Sequence, residues 1–156
     1  MRTSGEVALT AKRLEKINTL FVWGASGEII SEEVINKGIQ IAPKRYNQAV
    51  VEYLKSFIGR YVYCFDCIGL VKKCAEVSED IATDDLFKLA TESGTIDTIP
   101  NMAGVLVYMP NHVGIYVGNE EVIESSYAIG VGFGVVKTKL TDRNWTHWFK
   151  SHWIEY

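Results

Sequence analysis

The sequence predicts a single α+β domain, with helices in the first half of the chain and an antiparallel sheet in the second. Apolar residues recur at helical spacing as far as residue 89. From Val105 onward they form short β-type runs separated by Pro-Asn and Gly-Asn-Glu-Glu turns. Helices followed by strands, without regular alternation, are typical of the α+β class. A length of 156 residues suits one domain over 1-156.

Five helices are expected from apolar spacing and end signals. The first covers Leu9 to Leu20, and the fourth follows the Cys-Phe-Asp-Cys stretch to about Glu76. The others cover Ser31 to about Gly38, Arg45 to Phe57, and Asp80 to Leu89. The polar stretch 91–101 is predicted to be irregular. Strands are expected at 105–109, 113–117, 122–125 and 135–138, and the tryptophan-rich tail 145–156 is expected to close the sheet.

Composition and charge exclude several classes of function. The net charge is −3, so the chain lacks the basic surface that nucleic acid binding requires. No apolar run is long enough to span a bilayer, so membrane insertion is not expected. The N-terminal residues lack the apolar core and cleavage site of a secretory signal, which predicts a product that is cytoplasmic as synthesised. Three cysteines, an odd number, argue against a disulfide framework.

Cys67 is the candidate nucleophile. Asp66 has the side chain of a helix N-cap, and Cys67 follows it at the start of the apolar helical pattern. The helix dipole stabilises an anion at that position, so we expect the Cys67 thiol to have a lowered pKa. A lone cysteine is most often a small buried hydrophobic residue, and Cys74, two turns along the same face, fits that description.

Cys64 and Cys67 also form a Cys-x-x-Cys pair, which is compatible with a redox site or with half of a zinc site. A structural zinc site needs two more ligands, and the sequence has neither a second Cys-x-x-Cys nor a His-x-x-x-His. A thioredoxin-like site favours a βαβ context, which this order of elements does not supply. We therefore predict no metal and no cofactor.

His112 is the candidate base. It precedes an alternating strand in which His112, Gly114 and Tyr116 share one face. An imidazole titrates near neutral pH and can accept a thiol proton, although a plain loop histidine at a strand edge also fits this position. Gly114, on the same face, is expected to leave space for a helix end or a substrate. His147 and His152 lie in the tail without an obvious orienting partner.

Glu124 is the candidate third member, because a polar group that holds the imidazole in one tautomer helps a cysteine–histidine pair. It lies among apolar strand residues, where an unpaired carboxylate would be costly. A three-residue loop over 118–120 would place Glu124 opposite Gly114, diagonal to His112 on one face. A two-residue loop would move Glu124 to the other face. Asn-Glu lacks the glycine of tight turns, which favours the longer loop.

With these residues assembled, the chain resembles the NlpC-type (NlpC/p-sixty) cysteine peptidases, which are papain-like cell-wall endopeptidases. FDCIGLVKK resembles their nucleophile motif, and HVGIYVGNEEVIE resembles their histidine motif, with the third polar residue twelve positions after the histidine. FVWGASGE is similar to the aromatic-x-x-Gly-Gly segment that precedes the nucleophile. The tail FGVVKTKLTDRNWTHW is similar to compact phage- or mobile-element-borne members.

The resemblance implies a papain-like fold and hydrolysis of a peptidoglycan stem peptide, usually at the bond between D-γ-glutamate and the diamino acid. It implies that Cys67 is the nucleophile, His112 the general base and acid, and Glu124 the group that orients the imidazole. The backbone N–H of Cys67 would help to hold the oxyanion. Substrate binding is expected at the residues of the neighbouring motifs: Asp66, Phe21, Trp23, Tyr61 and Tyr63.

Three departures from the family pattern stand out. Phe21 occupies the place of a tyrosine whose hydroxyl can assist the oxyanion, a role for which Tyr61 and Tyr63 are the alternatives. The chain has a helical insertion at 31-57 between the FVWG segment and the cysteine. Ile68 replaces the usual serine after the nucleophile, which bears on recognition of the substrate more than on the chemistry. Asp66 is retained, and could bind a substrate amine as well as cap the helix.

Two other functions remain open at this level. One is an amidase or acyltransferase on the same scaffold, since only the pocket would differ. The other is a catalytically idle wall-binding domain, which the missing tyrosine keeps open. Without an export signal, an enzyme of this kind would reach the wall after lysis, through a pore or by phage delivery, as an endolysin does.

Overall fold

Helices dominate the first half of the chain and strands the second, in a computed structural model that describes residues 1–128 and 130–156. The helices of this described part are α1 (Ser4–Glu15), α2 (Glu32–Ile41), α3 (Gln48–Lys55), α4 (Cys67–Ala75) and α5 (Thr83–Lys88). Its strands are β1 (Arg2–Thr3), β2 (Thr19–Phe21), β3 (Ser26–Ile29), β4 (Tyr63–Phe65), β5 (Glu92–Thr95), β6 (Leu106–Met109), β7 (His112–Gly118), β8 (Glu121–Ala128), β9 (Gly132–Lys139), β10 (His147–Lys150) and β11 (Ile154–Glu155). The α+β prediction is confirmed.

The main sheet is antiparallel and has the strand order β5-β10-β6-β7-β8-β9. A smaller sheet, β2-β4-β3, carries the chain up to the start of α4, and β1 pairs with β11 in parallel. The main core lies between α1, α4 and one face of the large sheet, and includes Val7, Leu70, Ile115 and Phe149. The helix with the candidate nucleophile therefore lies directly on the strands with the candidate base and carboxylate.

Helix α1 begins earlier and ends earlier than predicted. Thr3 caps it with a full capping box, in which its hydroxyl accepts the Glu6 N–H and the Glu6 carboxylate accepts the Thr3 N–H. The buried face is formed by small residues such as Val7 and Ala11, whereas Leu9 is exposed. Leu20 belongs to β2, because pairing with β4 takes the chain out of the helix. The predicted bounds relied on large apolar side chains, whereas the helix packs closely on the core through smaller ones such as Val7 and Ala11.

The polar stretch after α5 contains a strand that the sequence did not predict. Residues Glu92–Thr95 form β5, whose backbone pairs with β10 at the edge of the large sheet. An edge strand packs on only one neighbour, so polar residues are tolerated and no apolar alternation marks it. Helix α5 starts at Thr83, and its N-cap residue, Ala82, makes no side-chain hydrogen bond to the helix.

The β7–β8 connection has two residues, not the three we predicted. Asn119 and Glu120 both have positive φ, at 53° and 61°, which is the backbone of a type I′ turn. The register nevertheless pairs Ile115 with Ile123, because an irregularity between Tyr116 and Gly118 adds one residue to β7. Glu124 therefore follows on the face that the longer loop would have produced. The bulge compensates for the shorter turn.

Helix α4 begins as predicted, with Asp66 as its N-cap. One carboxylate oxygen, Oδ1, accepts the Gly69 N–H at 2.7 Å, and Oδ2 accepts the Gly24 N–H at 2.8 Å. The Asp66 N–H in turn donates to the Ala25 carbonyl at 2.9 Å. These bonds tie the turn after β2 to the first turn of α4, so the two segments have a fixed relative position.

The helices in residues 1–128 and 130–156 are each too short or too polar to cross a membrane.

Gly69→Ala should destabilise the protein, because an added Cβ would lie 1.9 Å from the Ala25 carbonyl oxygen. The backbone on both sides would have to shift, and such overpacking costs about 1–3 kcal/mol. The free energy of unfolding from urea titration is the measurement. Gly5→Ala in α1 is the matched control, since nothing lies within 4 Å of its added Cβ and helix propensity favours alanine by roughly 0.5–1 kcal/mol. Equal stabilities of the two variants would contradict the close approach.

Candidate active site

The sulfur of Cys67 lies where the first residue of α4 meets the start of β7. It is 3.9 Å from the carbonyl oxygen of Asn111 and 3.7 Å from the hydroxyl of Thr83. The backbone N–H groups of Val113 and Ile68 also favour the thiolate in their effect on its pKa. The sulfur therefore lies close to the backbone next to His112.

The pKa of the Cys67 thiol is raised to about 11, chiefly by burial and then by the charge of Asp66. The Thr83 hydroxyl and the N–H groups of Val113 and Ile68 act in the opposite direction. Our expectation of a lowered pKa from the helix start alone is therefore wrong, because desolvation outweighs the donors. An acceptor for the thiol proton is needed before this sulfur becomes a thiolate near neutral pH.

His112 contacts Glu124 directly, with 2.8 Å between Nε2 and Oε1. The imidazole is 13% exposed and the carboxylate is fully buried, so solvent screens the pair poorly. Nε2 has to carry its hydrogen to donate to a carboxylate, which leaves Nδ1 with a lone pair. The contact thus selects the tautomer whose free nitrogen can accept a proton.

The Glu124 carboxylate has two further partners, neither of which was predicted. Thr138 Oγ1 donates to Oε2 at 2.8 Å from the neighbouring strand β9. The guanidinium Nε of Arg143, in the segment between β9 and β10, lies 3.5 Å from Oε1. A buried carboxylate is costly unless it is paired, and these groups supply the pairing. No simple spacing connects the three residues along the sequence, which is why sequence reasoning missed two of them.

Trp145 packs on one face of the His112 ring. The two rings stack, with centroids 5.3 Å apart and planes 11° from parallel. Gly114 makes this possible, because a Cβ there would lie 2.7 Å from a methyl group of Val122 and 3.1 Å from the Trp145 ring. The space beside Gly114 is therefore filled by Trp145 and Val122, and not by a helix end or a substrate as we expected.

A cleft of about 580 Å³ opens beside Cys67. One wall comes from the turn after β2 and from α2, and includes Trp23, Gly24 and Ile41. The lining also includes the start of α5, the residues before it and Asn111. Cys67 itself is only 5% exposed, so a substrate would reach the sulfur from this cleft.

Only two of the five residues expected to bind substrate line the cleft. Asp66 and Trp23 do so, although both carboxylate oxygens of Asp66 are already occupied by backbone N–H groups. Phe21 is buried in β2 between Trp23 and Tyr127. Tyr61 and Tyr63 are exposed on the smaller sheet and its approach, because strand alternation turns the neighbouring Cys64 inward. Neither tyrosine replaces the hydroxyl that Phe21 lacks.

Cys64 and Cys74 are fully buried free thiols. Burial raises the pKa of each to about 12, above that of Cys67. Cys64 belongs to the core under α2 and α3 and Cys74 to the main core, so they behave as small hydrophobic residues. Within residues 1–128 and 130–156, no group of three or more His, Cys, Asp or Glu side chains is arranged to hold a metal ion.

Comparison with solved structures gives a clear fold assignment. The peptidoglycan hydrolase RipB from Mycobacterium tuberculosis matches with a TM-score of 0.59 at 17% identity, over 98% of this chain and 65% of that one. The P60 domain of the antigen MAP1204 from M. avium subspecies paratuberculosis matches with a TM-score of 0.57 at 16% identity, over 98% of both chains. NlpC2 from Trichomonas vaginalis matches with a TM-score of 0.57 at 17% identity, over 98% of this chain and 48% of that one.

The chain therefore has the NlpC/P60-type fold, and the papain-like α+β architecture expected from the motifs is confirmed. It spans less than two thirds of the length of RipB and about half that of NlpC2. No protein-family model matches the sequence, and no curated protein matches it either.

Arg143→Met should lower the free energy of unfolding by about 1–3 kcal/mol, because it removes one partner from a fully buried carboxylate. Denaturant titration at neutral pH measures the loss. The matched control is Lys137→Met, which breaks the exposed pair between Lys137 and Glu121. Exposed pairs contribute about 0–1 kcal/mol, so the control should stay close to wild type. Equal losses in the two variants would mean that Arg143 does not stabilise the Glu124 carboxylate.

Proposed function

We propose that this protein is a cysteine endopeptidase that cleaves peptidoglycan stem peptides, with Cys67 as nucleophile, His112 as general base and acid, and Glu124 as the group that orients the imidazole. The observation that carries the proposal is the 2.8 Å contact between His112 and Glu124 on the strands beside the Cys67 sulfur. The fold shared with RipB, a peptidoglycan hydrolase, supports the substrate class. The sequence motifs support the same assignment.

The first half of the reaction forms a thioester. His112 Nδ1 takes the proton from the Cys67 thiol, and the sulfur attacks the carbonyl carbon of the peptide bond. The raised pKa of Cys67 makes this transfer necessary, since the thiol holds its proton at neutral pH. Glu124 stabilises the imidazolium that forms. The imidazolium then donates its proton to the leaving nitrogen as the C–N bond breaks, and the acyl group remains on sulfur.

The second half releases the acyl group. His112 takes a proton from water, whose oxygen attacks the thioester carbon; the C–S bond breaks, and the sulfur regains a proton. Backbone N–H groups at the start of α4 have no intrahelical partners, and that of Cys67 is the proposed donor to the oxyanion in both halves. No tyrosine is required for this role in the proposal.

We assign the whole chain to one catalytic domain in which residues 31–57 are an insertion that builds a wall of the substrate cleft. Tyr46 in the insertion accepts the Trp23 N–H on its hydroxyl at 2.9 Å. Ile41, at the end of α2, packs so closely on Gly24 that an added Cβ there would lie 2.4 Å from its terminal methyl. Gly24 in turn donates to Asp66. These contacts link the inserted helices to the residue before the nucleophile.

The proposed bond is the one between D-γ-glutamate and the diamino acid of the stem peptide, and its cleavage is tested directly. Purified peptidoglycan is incubated with the protein, and soluble fragments are identified by mass spectrometry. New amino termini on the diamino acid are expected. Amino termini on alanine at the muramic acid linkage would instead indicate an amidase, and pelleting with the wall without products would indicate a binding domain.

Cys67→Ala and His112→Ala should each abolish release of fragments, because each removes a group that the chemistry needs. Cys74→Ala is the matched control, because it removes a free thiol seven residues away in the main core. The folded protein of this variant should keep its turnover. Circular dichroism measures how much of each variant is folded. Undiminished activity in Cys67→Ala would refute the mechanism.

Ile41→Ser should lower kcat/KM on peptidoglycan fragments, mainly by raising KM, because it removes apolar surface from the cleft wall. Losing a contact of about 1 kcal/mol corresponds to a decrease of roughly 3–10-fold. The side chain is already 54% exposed, so stability should change little. Leu9→Ser, at a 49% exposed position on α1, is the control for a generic surface effect. Matching kinetics in the two variants would exclude Ile41 from substrate binding.

A further inference from the structure

We infer that the hydroxyl of Thr83 is the side-chain donor that stabilises the Cys67 thiolate, and so serves the reaction as a further catalytic group. The inference rests on the proposed function, in which Cys67 is the nucleophile. It starts from one contact: Thr83 Oγ1 lies 3.7 Å from the Cys67 sulfur, and both side chains are buried. Among the residues that the structure describes, no other side-chain hydroxyl lies within hydrogen-bonding range of this sulfur.

Either atom of this contact can be the donor, and the surroundings of the sulfur favour the Thr83 hydroxyl. A thiol has one hydrogen to donate, and the Asn111 carbonyl, 3.9 Å away, can only accept. When the S–H donates to Asn111, or in the proposed reaction to Nδ1 of His112, the sulfur lone pairs are left to accept from Thr83. The hydroxyl of Thr83 has no other hydrogen-bond partner in the described residues, so it is not diverted from the sulfur.

Ionisation strengthens this arrangement. When the thiol loses its proton, the Asn111 carbonyl oxygen has no hydrogen left to accept and does not stabilise the anion. The groups that donate hydrogen bonds to the sulfur then stabilise the thiolate. These are the N–H groups of Ile68 and Val113, which the fold fixes, and the O–H of Thr83, which can rotate toward the charge. Hydrogen bonds to a charged sulfur are stronger than those to a neutral one, so the donor favours the thiolate.

Other charged groups also bear on the titration of Cys67. Asp66 precedes it as the helix N-cap, His112 follows Asn111, whose carbonyl is near the sulfur, and Glu124 contacts both the imidazole and Arg143. The charged groups of the cleft wall that contains Thr83 are Asp80, Asp84, Asp85 and Lys88. Asp84 binds the Asn111 N–H and the Tyr108 hydroxyl, and Asp85 pairs with Lys88. A Thr83 variant changes none of these charges, so a shift in titration would report the hydroxyl.

Thr83 supplies a hydroxyl to a site in which residue 21 is a phenylalanine. Phe21 is buried away from the cleft, and Tyr61 and Tyr63 face solvent. Thr83, the first residue of α5, brings its hydroxyl to the sulfur. This donor acts on the sulfur and not on the oxyanion, so its role differs from that of a tyrosine hydroxyl at residue 21.

The test is the pH dependence of alkylation of Cys67 by iodoacetamide, followed by peptide mass spectrometry in wild type, Thr83→Val and Thr83→Ser. Alkylation reports the thiolate fraction. Thr83→Val keeps the shape and removes the donor, so the midpoint should move to higher pH by about one unit, which is about tenfold slower labelling at a fixed pH below it. Thr83→Ser keeps the hydroxyl and should stay within about twofold of wild type.

A profile for Thr83→Val that overlays the wild type, or that moves to lower pH, would overturn the inference; the second result would mean that the hydroxyl accepts from the thiol. Thermal unfolding verifies that the valine variant is folded, and Thr83→Ala replaces it if it is not. Alkylation requires no peptidoglycan. A shifted profile in a protein that digests no wall would therefore refute the proposed function and leave the role of Thr83 standing.

Discussion

A fully buried carboxylate is the constraint on which the candidate site depends. Glu124 has no access to solvent, so its charge has to be balanced within the protein. Three different segments meet this need: His112 at the start of β7, Thr138 on β9 and Arg143 beyond it. All three contact the Glu124 carboxylate at one point of the sheet. The contact with buried Glu124 therefore helps to fix the position of the His112 imidazole.

The environment of Cys67 combines opposing effects. Burial and the neighbouring Asp66 favour the neutral thiol, and the donors around the sulfur favour the thiolate. The first effect is the larger one, so the isolated thiol is a weak acid that needs a base. A sulfur of this kind stays protonated, and less open to unwanted oxidation, until an imidazole takes its proton. The geometry joins that base to Glu124 and leaves one ring nitrogen free.

Helices α2 and α3 have a structural role as well as a place in the cleft. Their own core includes Ile35, Leu54 and Cys64, and is separate from the main core over α4. They contact the turn at Trp23 and Gly24 through the Tyr46 hydroxyl and Ile41. Because Gly24 also binds the N-cap carboxylate of Asp66, the segment containing α2 and α3 supports the start of α4.

Several features were predictable from sequence because they depend on local chemistry. The Asp66 cap, the helix after Cys67 and the alternation of β7 all follow from neighbouring residues, and the α+β class follows from their order. The pairing of Glu124 with His112 was predicted for a partly wrong reason, since a two-residue turn and a bulge together replaced the expected longer loop. Strand β5 was missed because its only signal is its partner β10.

The sequence by itself determined which residues carry the candidate chemistry, since a cap, a strand period and a motif spacing are properties of short segments. Only the tertiary structure decided what surrounds them: Trp145 on the imidazole, Arg143 and Thr138 on the carboxylate, Thr83 at the sulfur. It also determined that burial has the largest effect on the pKa of the Cys67 thiol, which it raises. The physical reason is that desolvation and long-range pairing depend on distance in space, which the order of residues along a chain does not encode locally.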